Sequence, residues 1–279
     1  MSTVPAAATF RERHHGLIWS LLWPVRAWFT SFPIDRGKGL LFRHVILPAL
    51  PPEPASFTYR LPHGETVDLR YREDLGTLVL FHGGYEDREI GELCKYVPEG
   101  GTVFDVGANI GLSAIEFARS AGPAGKVIAF EPHPDTAARL RANLERNRIG
   151  NVEIVQSAVG ASAGTVTFNE SADATLSSAS LVPRNLVRSF DVPLTTVDLA
   201  WNAAGKPKVA ALKIDVEGGE LAVLQGASEL LARDHPVILL EAWGADQLDP
   251  IQALLHAAGY ERRQPAGFEP RNYLFLERA

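Results

Sequence analysis

The chain has 279 residues, is 46% hydrophobic and carries a formal net charge of −6, which suits one large domain with an extension and is the wrong sign for a phosphate backbone. No long basic run offsets that balance, so nucleic acid is not an expected partner. The lone Cys94 allows no internal disulfide, and no CxxC or clustered His/Cys spacing offers a metal site, so a reducing cytoplasm is the expected compartment.

In chain order, residues 17–29 (LIWSLLWPVRAWF) come first as an aromatic, apolar run. Pro24 and Arg26 interrupt it, and it falls short of the ~20 apolar residues a spanning helix needs. No small-residue cleavage site follows, so neither a membrane span nor a signal peptide is expected. The readings left open are a helix packed on the main domain or on a second copy in a homodimer, an interfacial helix making peripheral membrane contact, and disorder. Pro48, Pro51, Pro52 and Pro54 then form a stiff connector. The expected division is a helical extension with connector over 1–55 and a main domain over 56–279.

Residues 56–61 and 66–71 alternate apolar and polar around Pro62-His63-Gly64-Glu65, which predicts a β-hairpin over 56–71. An acidic helix is expected near 85–93, leading to a turn at 97–101. From residue 102 the pattern becomes strand, helix, strand, the signature of an α/β fold with a mostly parallel sheet covered on both faces. Strands are predicted at 102–106, 126–131, 152–156, 209–215, 236–242 and 271–277, the last at a sheet edge. Helices are predicted at 111–120, 135–147, 218–232 and 246–258. Residues 164–169 look extended, and the small polar run 171–180 reads as a mobile loop.

The chemistry begins where the first buried strand ends, at Asp105-x-Gly107-x-Asn109-x-Gly111. A nicotinamide site normally shows GxGxxG, with a pyrophosphate at the helix start. Here an acid precedes the turn; it would repel a diphosphate but can bind the ammonium of an amino-acid-bearing cofactor such as S-adenosylmethionine. Gly107 and Ala108 keep the path clear, and Asn109 offers both donor and acceptor. Glu131 ends the second strand, where a carboxylate can accept from two ribose hydroxyls, and Pro132 stops the strand there. Asp135 is the expected cap of the next helix, with His133 a loop residue beside it. Ser157 and Ala158, after the third strand, are placed at the adenine.

The fourth strand runs into Lys213, Asp215 and Glu217, put on one side by alternation, followed by Gly218 and Gly219. Asp215 and Glu217 are the candidate bases, with Asp215 also beside the cofactor and Lys213 their partner; a plain ion pair is the rival reading. His82 is the reserve base. Glu241 and Trp243, at the next strand's end, are candidates to shape an acceptor site, since aromatic faces suit sugar rings.

Taken together, DVGANIG at 105–111, FEPHP at 130–134, LTTVDL at 194–199 and KIDVEGGE at 213–220, extended by Gly226-Ala227 and PVILLE at 236–241, resemble the FkbM family of S-adenosylmethionine-dependent methyltransferases. The resemblance covers roughly residues 80 to 243. It implies a Rossmann-like class I fold with seven strands, the last antiparallel, and O-methylation by in-line transfer to a hydroxyl of a sugar, glycan or secondary metabolite. A catalytically silent cofactor-binding protein and a nicotinamide-dependent oxidoreductase remain the alternatives at this level.

Overall fold

The computed structural model describes residues 55–171 and 186–278, with Pro48, Leu50 and Pro51. The aromatic segment at 17–29 and residues 172–180 of the polar run lie outside the described residues. The described chain falls into two compact units, divided between Asp87 and Arg88.

In the first unit, β1 (Ser56–Arg60) and β2 (Thr66–Arg70) form the expected antiparallel hairpin, in register from Ser56 opposite Arg70 to Arg60 opposite Thr66. Its alternation turns Phe57, Tyr59, Val67 and Leu69 inward. The next element is a helix not foreseen in the sequence, α1 (Asp74–His82). Gly76 disguises it: glycine weakens a helical reading, yet a Cβ there would collide with the Arg70 carbonyl oxygen. Gly83, at φ 90°, ends α1 by donating its N–H to the Val79 carbonyl at 2.9 Å.

The second unit opens within α2 (Asp87–Cys94), at Arg88. Beyond it lies a seven-stranded sheet, built from β3 (Thr102–Val106), β4 (Lys126–Phe130), β5 (Val152–Val155), β9 (Val209–Ile214), β10 (Val237–Glu241), β11 (Tyr260–Arg263) and β12 (Asn272–Glu277). The order across it is β11-β12-β10-β9-β3-β4-β5. β12 pairs antiparallel with both its neighbours, whereas the other pairings are parallel. The last strand is therefore antiparallel as expected, but it does not form the edge. β11 covers it, because the chain reverses through residues 264–271 and lays β12 antiparallel beside β11.

Helices cover both faces, as short apolar strands flanked by amphipathic segments require. One face, formed by Phe104, Val106, Ile128, Leu212, Ile214 and Leu240, packs on α5 (Val197–Ala203), α6 (Glu220–Gln225), α7 (Ser228–Asp234) and α8 (Ala245–Ala257). The other, with Val103, Val127, Ala211 and Leu239, packs on α2 and α3 (Leu112–Ala121). α4 (Pro134–Arg146) lies between β4 and β5 in sequence. The helix expected at 218–232 is broken at Gly226-Ala227. A Cβ on Gly226 would collide with the Gly160 carbonyl oxygen, and the Asp198 carboxylate caps α7 separately, accepting from Glu229 N and Leu230 N at 2.9 Å each.

The extended piece at 164–169 is part of β7 (Gly164–Ser171), which pairs antiparallel with β8 (Leu186–Thr195). With β6 (Ala158–Val159) they make a separate sheet in the order β6-β8-β7. β8 is hard to recognise in the sequence because charged and polar residues in 186–191 mask its period.

Candidate active site

The site is set by register. Val106 pairs with Phe130 on one side and Ile214 on the other, Ile214 pairs with Leu240, and Glu241 pairs with Asn272. The residues just past these pairs, Glu131, Gly107, Asp215, Glu241 and Arg271, therefore line the carboxyl edge of the sheet in that order, one strand spacing of about 4.8 Å apart. The carboxyl edge of a parallel sheet is where α/β proteins bind ligands.

The glycine turn is fixed from three sides. Gly107 N and Ala108 N both donate to the Phe130 carbonyl, at 3.1 and 2.9 Å, and Asp215 N donates to the Val106 carbonyl at 2.9 Å. Gly107 has φ 85°, and a Cβ on it would collide with the Asp215 carbonyl oxygen, so both its backbone angle and its missing side chain are required. Asn109 sits in the left-handed region at φ 51°, its Oδ1 accepting from Ile110 N at 2.8 Å. From α4, Asn143 Nδ2 donates to the Ile110 carbonyl at 2.9 Å and Leu140 fills the space beside Gly111.

Glu131 is 7% exposed. Its two oxygens accept from Asn109 N at 3.1 Å and His133 N at 2.9 Å, tying the glycine turn to the end of β4. Burial pushes its carboxyl up to about 7, against the pull of those two N–H groups. His133, not Asp135, caps α4, its Nδ1 accepting from Thr136 N at 3.4 Å; its ring meets Phe190 of β8 edge-on at 5.2 Å between centroids.

Asp105 is 0% exposed. Its Oδ2 accepts from Ser113 Oγ at 2.7 Å, and its Oδ1 has no hydrogen-bond partner among the described residues. Burial raises its carboxyl above the ordinary range, opposed first by the charge of Lys213, its lateral neighbour on β9. Lys213 Nζ lies 3.2 Å from Asp215 Oδ2, so lysine and aspartate are brought together as alternation required. Glu217 is not carried by that alternation, because β9 ends at Ile214; it is exposed, in a left-handed turn at φ 57°. The turn is held by Glu220, whose role no local pattern marks: it is buried, and its Oε1 accepts from Val216 N at 3.2 Å and Gly218 N at 3.0 Å.

Beyond Asp215 the edge continues with a cluster. Glu241 Oε2 accepts from Trp243 Nε1 at 3.1 Å, and its Oε1 lies 3.6 Å from Arg271 Nε. The Arg271 guanidinium stacks on the Trp243 ring, 3.7 Å from its centroid. Arg271 gave no sequence signal, lying in a turn about 30 residues beyond Glu241 and reaching it only through the β10–β12 pairing.

Pro132 continues from Glu131 into the turn before α4. Ser157 and Ala158 are buried; the Ser157 hydroxyl lies 2.9 Å from both the Pro193 and Ala158 carbonyls, so its proton is used within the protein. His82 is an exposed residue in the last turn of α1, in the first unit.

These residues fit S-adenosylmethionine in chemistry. A carboxylate has about four acceptor positions, so Glu131 keeps capacity for ribose hydroxyls after its two backbone bonds. Asp105 supplies an unused buried acceptor under the turn, and Gly107 and Ala108 place no side chain larger than a methyl at that edge. Among the described residues no three His, Cys, Asp or Glu side chains gather to hold a metal ion, and no helix is long and apolar enough to cross a membrane.

A family model described as the methyltransferase FkbM domain matches residues 105–262. The chain is 31% identical over 165 residues to a hexuronic acid methyltransferase, AglP, of Haloferax volcanii, a match that takes in 59% of this chain and 66% of that protein, just under two thirds. It is 30% identical over 241 residues to the 31-O-demethyl-FK506 methyltransferase FkbM of Streptomyces tacrolimicus, covering 73% of this chain and 88% of that one. Among solved structures, a methyltransferase FkbM from Methylobacillus flagellatus superposes with a TM-score of 0.45 at 16% identity, over 73% of this chain and 55% of its own.

Proposed function

This chain belongs to the FkbM family of methyltransferases, and we infer that it O-methylates a hydroxyl of a sugar, glycan or secondary metabolite. The observation that carries the reading is the row Glu131, Gly107, Asp215, Glu241 along one sheet edge, which provides a cofactor half and an acceptor half on neighbouring strands. The names of the relatives support it: one is a hexuronic acid methyltransferase, and the other is named for a 31-O-demethyl compound, which points to an oxygen acceptor.

S-adenosylmethionine, when bound, supplies a methyl group on a positively charged sulfur, which an oxygen nucleophile takes in line as the sulfur leaves. The work of the chain is position and proton transfer. Glu131 would accept from the ribose hydroxyls, and Gly107 and Ala108 would hold the methionyl arm. Asp105 lies buried beneath the turn, with Oδ1 unpaired among the described residues. Asp215 takes the acceptor's proton, its carboxylate oriented by Lys213 at 3.2 Å. Glu241 and Trp243 form the acceptor wall. Of the other sequence candidates, Glu217 stands exposed past the strand end, which favours Asp215 as base.

The test is calorimetry with S-adenosylmethionine and with NAD, followed by incubation with a radiolabelled methyl donor and a panel of sugars and metabolite extracts. Binding of the methyl donor with label transfer to an alkali-stable methyl ether supports the reading. Tight NAD binding without a methyl-donor signal overturns the cofactor assignment, and label in an alkali-labile methyl ester overturns O-methylation of a hydroxyl.

A further inference from the structure

Arg271 lies at the carboxyl edge of the sheet, just before β12. Its backbone is fixed, since its carbonyl accepts from Ala242 N at 2.9 Å, and Asn272 N donates to the Glu269 carbonyl at 3.0 Å. Its plane is fixed as well, by the stack on Trp243 and by Glu241 beside Nε. The rest of the guanidinium, the two Nη groups, has no hydrogen-bond partner among the described residues. A guanidinium fork held in one plane with its outer edge unpaired matches two oxygens of a carboxylate or phosphate. Trp243, 55% exposed, is the most exposed large apolar side chain among the described residues, and its ring sits next to that fork as a surface for a ring-shaped ligand.

Position ties this pair to the reaction. Arg271 stands two strand spacings, about 10 Å, beyond Asp215 along the carboxyl edge, on the side away from Glu131. Glu131 and Gly107 belong to the cofactor half, so a molecule whose hydroxyl reaches Asp215 extends over Glu241 toward Arg271.

We propose that Arg271, held flat by Trp243 and Glu241, clamps a carboxylate of the acceptor, so that the acceptor is a hydroxyl compound bearing an acid group about one sugar ring away from the methylated oxygen. A single negative charge is favoured over a phosphate dianion, because Glu241 lies beside Arg271 and repels the second charge. This inference rests on the methyltransferase reading and adds the acceptor's charge to it.

The experiment loads the full chain with S-adenosylhomocysteine and titrates it by calorimetry with three matched probes: methyl glucuronide, methyl glucoside and methyl glucoside 6-phosphate. The wild type is expected to bind the glucuronide about 10- to 100-fold tighter than the glucoside, the worth of a charge-assisted pair. Arg271→Gln brings the two to parity, and Arg271→Lys, which keeps the charge but loses the fork, falls between; both bind S-adenosylhomocysteine like the wild type. Equal binding of acid and neutral probe by the wild type, binding of neither, or equal weakening of both in the variants overturns the clamp while leaving the cofactor reading intact. Tighter binding of the phosphate than of the glucuronide overturns the carboxylate. Failure of the wild type to bind S-adenosylhomocysteine overturns the methyltransferase reading itself, and the clamp with it.

Discussion

Glu131 is the residue whose chemistry is most exposed to test. Buried and pushed up to about 7, it is partly protonated in the empty site near neutrality, whereas two ribose hydroxyls donating to it favour the ionised form. Cofactor binding therefore expels a proton below about pH 7, and affinity rises with pH from 5 toward 8 before levelling. Calorimetry in buffers of different ionisation enthalpy reads this directly; a proton count of zero at pH 6 would remove Glu131 from the ribose. Glu131→Gln should flatten the profile and weaken binding about tenfold or more, the scale of one charge-assisted hydrogen bond. At Asp215 the expectation splits differently. Asp215→Asn lowers kcat about 100-fold or more while leaving the cofactor dissociation constant within a few-fold, as loss of a general base does. Glu217→Gln leaves kcat within a few-fold, and a larger loss there would exchange the two roles.

Among the elements, the glycine turn depends on backbone geometry that no other residue reproduces. Gly107→Ala combines a positive φ with a collision against the Asp215 carbonyl, and should destabilise by about 3 kcal/mol or more. Asn143→Ala orphans the buried Ile110 carbonyl and should lose about 1–3 kcal/mol; denaturant unfolding checks both, and unchanged midpoints would show that the turn is slack. This turn was legible in the sequence because its constraint is local: a buried strand, an acid, then glycines at fixed spacing. The same holds for the strands at 102–106 and 126–130, whose short runs of β-branched and aromatic residues suit a buried strand better than a helix. Where tertiary contact decides, the sequence was silent. Nothing near Gly226 announces that the Gly160 carbonyl will split a helix, nothing near Asp198 announces that it caps α7, and Glu220 looks like one more acid in a row. Arg271 is the clearest case, since only the insertion of β12 beside β10 brings it to Glu241.

For the molecule as a whole, the buried acids set how stability responds to pH. Asp105, Glu131 and Glu241 all have carboxyls raised by burial. A carboxyl raised in the folded state binds protons better folded than unfolded, so its stabilising contribution is complete below the unfolded value near 4 and is lost as pH rises through the folded value. For Glu131 that window runs from about 4.5 to about 7 and is worth about 3 kcal/mol. The ligand-free protein should therefore melt higher at pH 5 than at pH 8, and saturating S-adenosylhomocysteine should shrink the gap; a ligand-free melting temperature that rises between pH 5 and 8 would contradict this. The place of β12 also bears on synthesis. Strands β3, β4, β5 and β9, which carry the cofactor row, leave the ribosome before β10, while β10 waits for residues 272–277 to cover its outer edge. A nascent chain can complete its donor half first and carries an open strand edge until its acceptor half closes. The interval between those two events is when a slowed ribosome leaves the outer edge of β10 unpaired longest and the chain most prone to associate with its neighbours.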